Sequence, residues 1–487
     1  MSQHIPRPSL LNRAYMTAVQ ALLRDSRGAG LGQRLKIHQS LERLTVEESR
    51  SRQWQALAQL LQHAYDSTPF YRARFEQAGL KPRDGCTARE FASLPPLTRE
   101  QIRQNFDDLW SRKYKKEDLL SAATGGTTDT PVPLLRSPDC MPQKMAVQAH
   151  FDSWAGMWPG DKIFRLWGAQ QDFSPNPSWR WRFYDRQVLR NVWAPTSLLN
   201  PEAFEKYRLL LNEFRPKIIY AYPTPLELFC EFLIASGRPY AKPMSAICTA
   251  EPLLDHQRKT IEQALGCPVF QHYGTRDFGM VGAECEAHEG LHFNPAAVLV
   301  EYVPVEGAER EGLFEILVTD LLNLGMPMIR YKINDCAVLA EKPCSCGRSF
   351  PLVRKIVGRT TDNFCLPDGS IVPGVALTNR VIQVCPGLRK LQVIQRTPMD
   401  FHVRYVAGAG FARADLDTLA LKLNVFFPVP LRWAFEEVSE IEREKSGKTR
   451  FCISYVNRRA GSGQVQEEGH DGQERVLEGH PVERADS

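Results

Sequence analysis

Trp54, Leu57, Leu60, Leu61 and Ala64 recur at helical spacing, the period of a helix that buries one apolar stripe. The remainder of the first 115 residues also reads as helical. Thr68-Pro69-Phe70-Tyr71 reads as a turn feeding a second helix near residues 72–78. Leu94-Pro95-Pro96-Leu97-Thr98 leads into a third, with Thr98 as N-cap and Gln101 three residues on. From 116 to about 360 the pattern changes to short apolar runs alternating with helical stretches. Residues 162–168, 217–223, 245–251 and 268–274 each read as a strand running into a loop, and a helix follows the third around His256–Leu265. Residues 296–340 are denser in strand patterns, such as Leu313-Phe314-Glu315-Ile316-Leu317-Val318-Thr319.

This strand, loop, helix rhythm predicts an α/β sheet with ligand groups at the strand ends. Near 360 the character shifts. Gly358-Arg359-Thr360-Thr361-Asp362-Asn363 is polar, and a small α+β pattern follows. The chain divides on this reading into a helical region at 1–115, an α/β and β-rich core at 116–361, and a small α+β lobe at 362–456. Residues 457–487 carry many Gly, Glu, Gln and Arg with few large apolar groups. Such a composition cannot bury enough apolar surface to order itself, and predicts a disordered tail.

Composition narrows the function classes. The chain has 487 residues, with 43% hydrophobic and 24% charged, the balance of an ordinary globular protein. Basic residues number 61 and acidic 56, a net charge of +5. That excess is too small to argue for nucleic acid and suits a small anionic substrate. The longest apolar stretch, 218–234, is broken by two prolines and by Glu227 and Glu231. It reads as strand, turn and buried helix, and no run approaches the ~18 apolar residues of a spanning helix. No secretory leader is expected from residues 1–11, which lack an apolar core. Twelve scattered cysteines fit a reducing, cytoplasmic compartment. Monomer and homodimer both remain open.

Chemistry concentrates in a few stretches. Thr124-Gly125-Gly126-Thr127-Thr128-Asp129-Thr130-Pro131 offers backbone amides and hydroxyls that could wrap a phosphate, or is a plain turn. Neither a Gly-x-x-x-x-Gly-Lys-Ser/Thr loop nor a Gly-x-Gly-x-x-Gly turn is present. His272-Tyr273-Gly274-Thr275-Arg276-Asp277-Phe278-Gly279 follows a strand; Thr319-Asp320 leads to Arg330-Tyr331-Lys332-Ile333-Asn334-Asp335. Gly358-Arg359-Thr360-Thr361-Asp362 comes next, and Lys445-Ser446-Gly447-Lys448 last.

In this order and spacing the stretches resemble the adenylate-forming superfamily. The N-terminal helices, Pro69-Phe70-Tyr71 and Cys344-Ser345-Cys346-Gly347-Arg348 resemble its phenylacetate–CoA ligase branch. Tyr273-Gly274-Thr275-Arg276-Asp277 is similar to members from capsular polysaccharide gene clusters. The resemblance spans residues 50–456. It implies a large multi-subdomain N-terminal domain with a small α+β C-terminal lid, and an enzyme that joins a carboxylic acid to a thiol with release of AMP. It also implies the roles of single residues. Thr124, Gly125, Gly126, Thr127 and Thr128 would hold the ATP phosphates. Tyr273 would face the adenine, beside Gly274 and Thr275, and Asp335 would accept both ribose hydroxyls, with Arg359 nearby. Asp277 would bind Mg²⁺, Asp362 would be the hinge, and Lys448 would bridge the carboxylate and the α-phosphate, with Lys445 as its rival.

Two positions depart from that pattern. Asp129 stands where glycine is usual, so either its carboxylate points away from the triphosphate or ATP handling is altered. Asp277 stands where glutamate is usual, one methylene shorter. An aryl or fatty acid is the expected substrate, in a pocket near Trp167, Tyr222, Ala250 and His272. Coenzyme A is the expected acceptor; a carrier protein or a sugar is the alternative. A non-catalytic nucleotide- or acyl-binding protein is the competing class. Cys344-x-Cys346 with Cys285 and His292, and His288 between the latter two, forms either a structural zinc set or a group of reduced, buried thiols.

Overall fold

The structure, a computed structural model, describes residues 30–82, 85–123, 132–167, 180, 183–196, 199–305, 312–359, 363–367, 371–373, 388–408, 411, 416–417, 419, 431–441 and 452–456. The expected N-terminal helices are α1 (Leu31–Leu41), α2 (Val46–Ser67), α3 (Pro69–Gln77), α4 (Ala88–Ser93), α5 (Arg99–Gln104) and α6 (Phe106–Leu109). In α2 the side chain of Thr45 accepts the N–H of Glu48 and the Glu48 carboxylate accepts that of Thr45, a reciprocal cap. Its stripe of Leu57, Leu60, Leu61 and Ala64 is buried. Thr98 and Gln101 cap α5 in the same way. One boundary differs from the sequence reading. Pro69, Phe70 and Tyr71 are the first turn of α3 rather than a turn before it, because proline at the first helical position loses no hydrogen bond there.

A short hairpin, β1 (Leu120–Ala123) and β2 (Pro133–Arg136), brackets residues 124–131. Helix α7 (Cys140–Trp154) follows, then β3 (Ile163–Trp167), β4 (Asn191–Pro195) and α8 (Pro201–Phe214). Next come β5 (Ile218–Ala221), α9 (Pro223–Ser236), β6 (Ser245–Cys248), α10 (Asp255–Leu265) and β7 (Val269–Thr275). All four predicted strand-to-loop stretches are therefore strands, and β3, β5, β6 and β7 are parallel neighbours. Both faces of this half are buried. Phe164, Leu166, Ile219, Ala221, Ala246 and Cys248 pack with residues of α8, α9 and α10. Ile163, Ile218, Tyr220, Ile247 and Phe270 face the opposite side. Covered parallel strands read as continuous apolar runs, which is what made them legible.

The sheet then changes character. Strands β8 (Gly279–Glu284), β9 (Leu291–Phe293), β10 (Val298–Pro304), β11 (Leu313–Asp320), β12 (Tyr331–Leu339) and β13 (Leu352–Arg359) pair antiparallel. The whole is one 11-stranded sheet in the order β10-β11-β12-β13-β9-β8-β7-β6-β5-β3-β4. Strand β7 is the junction, parallel to β6 and antiparallel to β8. Ligands gather where a sheet changes its connection pattern at the carboxyl end of a strand, and β7 ends on Tyr273, Gly274 and Thr275.

Past the large sheet lie a two-stranded ribbon of β14 (Asn363–Cys365) and β15 (Ile371–Pro373), and then β16 (Leu388–Gln395), β17 (Asp400–Ala407), β18 (Arg432–Glu437) and β19 (Cys452–Ser454). The last four form a sheet in the order β18-β17-β16-β19. Phe364, Leu391, Val393, Phe401, Val403 and Tyr405 make its separate core.

Candidate functional site

Tyr273 and Asp335 meet. The Tyr273 hydroxyl donates to Asp335 Oδ2 at 2.7 Å. Asp335 reaches this place because β12 bulges. Between Lys332 and Cys336 it spends two more residues than its partner β11, and Asn334 within the bulge has a φ of 63°. Bulges re-aim side chains next to sites, and asparagine tolerates the left-handed region better than most residues. The Tyr273 ring lies 6.0 Å from that of Phe293, tilted by 36°. A Cβ at Gly282 would overlap the Phe293 ring, so glycine makes room for this aromatic backing. Arg359 is the cross-strand partner of Asp335; its side chain lies outside the described residues. So do Thr124, Gly125, Gly126, Thr127, Thr128, Asp129, Asp362, Lys445 and Lys448.

Downstream of Tyr273 the chain turns. Thr275 Oγ1 accepts the N–H of Phe278 at 3.1 Å, so this hydroxyl shapes the turn. Asp277 sits in that turn at 9% exposure. One sheltered, hard carboxylate fits Mg²⁺, which takes one or two carboxylates and fills its shell with phosphate oxygens and water.

The residues expected to line an acid pocket lie at the carboxyl ends of the parallel strands. The rings of Trp167 and Tyr222 are 4.7 Å apart. Ala250, just past β6, has a φ of 70°, a strained setting for a residue with a Cβ. Glu251 anchors that loop by accepting the Thr224 hydroxyl at 2.8 Å. His272 is buried, 3.6 Å from Asp152 Oδ1, and burial pushes its imidazole down to about 3. Burial pushes the Asp152 carboxyl up to about 7, against a hydrogen bond from Gln148 and the charge of Arg165. One pleat below Trp167, Arg165 lies 5.3 Å from the Trp193 ring and 5.0 Å from that of Tyr220. The sequence reading missed Asp152 and Arg165. Arg165 interrupts an apolar strand, and a charge in a covered strand was the available signal.

A second cluster forms at the other end of β8. The ligand atoms of Cys285, His292, Cys344 and Cys346 all lie within 4.8 Å of one another. The Cys285 and Cys344 sulfurs are 3.6 Å apart, and Cys346 Sγ is 3.4 Å from His292 Nε2. Zinc at ordinary bond lengths spaces tetrahedral sulfurs by about 3.8 Å, so the donor set fits. His292 Nδ1 lies 3.1 Å from the Phe350 carbonyl. A carbonyl only accepts, so Nδ1 carries the proton and Nε2 presents its lone pair to the cluster. A hydrogen bond from Cys285 holds the Cys346 thiol well below its ordinary value, against the effect of burial. His288 is not part of the group; its Nδ1 lies 3.3 Å from Glu284. Around the cluster Arg348 forks onto Glu286 at 3.0 and 2.8 Å and reaches Glu42 at 3.1 Å. Glu42 also accepts from the Trp154 indole at 3.0 Å.

Known proteins share both sequence and shape with this chain. A domain family described as CapK C-terminal domain matches residues 364–455. Protein CapK of Staphylococcus aureus is 24% identical over 375 residues, 76% of this chain and 81% of that one. The phenylacetate-coenzyme A ligase of Pseudomonas putida is 27% identical over 345 residues, 68% of this chain and 75% of that one. The chain is homologous to CapK and the phenylacetate-coenzyme A ligases. The Escherichia coli K12 ligase of the same name is 25% identical over 401 residues, 79% of this chain and 84% of that one. Among solved structures, 2-hydroxyisobutyryl-CoA ligase in its postadenylation state, in complex with 2-HIB-AMP, superposes with a TM-score of 0.66 at 18% identity. The match covers 86% of this chain and 91% of that one. This homologue of CapK and the phenylacetate-coenzyme A ligases thus has the adenylate-forming CoA ligase fold, with a C-terminal domain.

Proposed function

We propose that the chain activates a carboxylic acid with ATP, forming an acyl adenylate and pyrophosphate, and then passes the acyl group to the thiol of coenzyme A. The observation that carries this reading is the pairing of Tyr273 with Asp335 at the end of the junction strand, in a homologue of phenylacetate-coenzyme A ligases. Tyr273 offers adenine a ring face backed by Phe293. The Asp335 carboxylate has lone pairs for both ribose hydroxyls beyond the one that accepts Tyr273. Residues 124–128 hold the phosphates. Asp277 holds Mg²⁺, whose chemistry when bound is to neutralise charge on the departing phosphates. The carboxylate oxygen attacks the α-phosphorus, the bond to the bridging oxygen breaks, and Lys448 stabilises charge developing on the phosphoryl oxygens. Residues 362–456 act as a lid that turns at Asp362, withdraws Lys448 and admits the thiol. Trp167, Tyr222, Ala250 and His272 line a pocket for an aryl or fatty acid. Cys285, His292, Cys344 and Cys346 hold a structural zinc. Among the described residues no helix is long and apolar enough to cross a membrane. Twelve scattered cysteines suit a reducing compartment, and on that ground we place the reaction in the cytoplasm.

Incubation with ATP, Mg²⁺, coenzyme A and a panel of aryl and fatty acids tests the reading. One AMP per thioester with at least one acid supports it. A folded protein that binds AMP but turns over no acid is the nucleotide-binding protein of the competing class. The match of residues 364–455 to a CapK domain favours a second reading, in which a carrier protein or a sugar accepts the acyl group. Adenylate that accumulates without thioester is its signature.

A further inference from the structure

Lys144 is a buried cation with no part in the mechanism above. Its side chain is 9% exposed and that of its partner Asp320 is 1% exposed. Its ammonium lies 2.7 Å from Asp320 Oδ2 and 2.7 Å from the Phe278 carbonyl. Burying such a pair costs several kcal/mol of desolvation, so it is weak evidence for stability alone. The Phe278 carbonyl follows Asp277 in the chain. The carbonyl that precedes Asp277, that of Arg276, accepts from the guanidinium of Arg136 at the end of β2. With Phe278 N–H on Thr275 Oγ1 at 3.1 Å, the backbone is held on both sides of Asp277, and the two cations come from different elements.

The same hub grips the hairpin. Asp320 Oδ1 accepts the N–H groups of Leu322 at 3.0 Å and Asn323 at 3.3 Å. Asn323 in turn accepts the Ser137 N–H at 3.1 Å and donates to the Leu135 carbonyl at 2.9 Å. A Cβ on Gly325 would sit 2.7 Å from the Ser137 nitrogen, so glycine there permits the close approach. One polar web therefore joins the end of β2, the Asp320–Asn323 turn, α7 and the turn that carries Asp277.

We infer that Lys144, with Asp320 and Arg136, is a positioning residue that sets Asp277 relative to the β1–β2 hairpin, and so governs Mg²⁺–triphosphate binding without governing adenosine binding. The inference rests on the adenylation reading. Calorimetry on the full chain separates the two. AMP in EDTA reports the adenosine site, and ATP with and without Mg²⁺ reports the metal-dependent increment. K144M/D320N removes both charges together, so no orphaned carboxylate is left to unfold the protein. R136Q, at a half-buried position, tests the other arm if the first variant fails to fold. Each is expected to lower the Mg²⁺-dependent gain in ATP affinity about ten- to hundredfold, with AMP affinity held within about twofold. K144R, which keeps a donor for both acceptors, restores most of the gain. An unchanged gain in folded K144M/D320N and R136Q overturns the inference, as does an equal loss of AMP and ATP binding, which marks a purely structural web. Wild-type protein that binds neither nucleotide overturns the adenylation reading itself, a separate outcome.

Discussion

Tyr273 and Asp335 stand 62 positions apart in the chain and share one hydrogen bond. A neutral donor on a carboxylate contributes about 1.5–3 kcal/mol where the acceptor is sheltered. Tyr273→Phe keeps the ring and loses that donor. It should weaken AMP binding about three- to tenfold, because the carboxylate is no longer held toward the ribose. Asp335→Ala removes the proposed acceptor of both hydroxyls and should cost about a hundredfold, since each bond to a charged group is of that order. Calorimetry with AMP checks both, and wild-type affinity in Asp335→Ala would remove the ribose role. Asp152 offers a pH signature. Its folded carboxyl is raised from 3.8 to about 7, so between those values the folded state holds a proton that the unfolded state has lost. Stability then falls as pH rises through that window, and the penalty is fully present above it. The neighbouring His272 slopes the other way, because its folded value is lowered from 6.5 to about 3 and acid favours the unfolded chain. Asp152→Asn, which still accepts from Gln148, isolates the first effect. Its melting temperature relative to wild type should climb from pH 5 to pH 8, by an amount corresponding to roughly 2 kcal/mol. A pH-independent difference contradicts the assignment.

The parallel strands declared themselves in the sequence because burial on both faces writes an uninterrupted apolar run. Strand β4 did not, since Asn191-Val192-Trp193-Ala194-Pro195 is short, ends in proline and takes the sheet edge beside β3 alone. The bulge that delivers Asp335 is equally silent in sequence. Nothing in Lys332-Ile333-Asn334-Asp335 announces two surplus residues, and only the family resemblance brought Asp335 beside Tyr273. The cysteine cluster was half legible. Residue types and a knuckle-like Cys344-x-Cys346 suggested thiolate chemistry, but Cys285 and Cys344 lie 59 positions apart, and their meeting depends on strand pairing. The outer partners, Arg348 with Glu42 and Glu286, carry no sequence signal. At this scale the test is metal content. The wild type should carry about one zinc per chain, and Cys344→Ala should carry none and melt more than about 5 °C lower. Metal-free wild type with the same melting temperature as the variant leaves only a cluster of thiols.

Across the whole molecule, the sheet junction at β7 brings Tyr273 and Asp335, the turn of Asp277 and the entrance to the parallel half into one neighbourhood. In the proposed acid pocket, Trp167 at the end of β3 and Tyr222 just past β5 suit an apolar acid, and the buried Asp152 and His272 with the half-buried Arg165 lie close by. The proposed lysine, Lys448, comes late in the chain, well after the last strand of this sheet, the order expected when closure orders two half reactions. Acid-dependent exchange of labelled pyrophosphate into ATP reads the first half reaction without needing the acceptor. Wild-type protein should exchange with at least one aryl or fatty acid, and Lys448→Ala should lose about a hundredfold or more of that rate while binding AMP normally. Exchange at the wild-type rate in Lys448→Ala, or none with any acid in wild-type protein that binds ATP, would contradict the account.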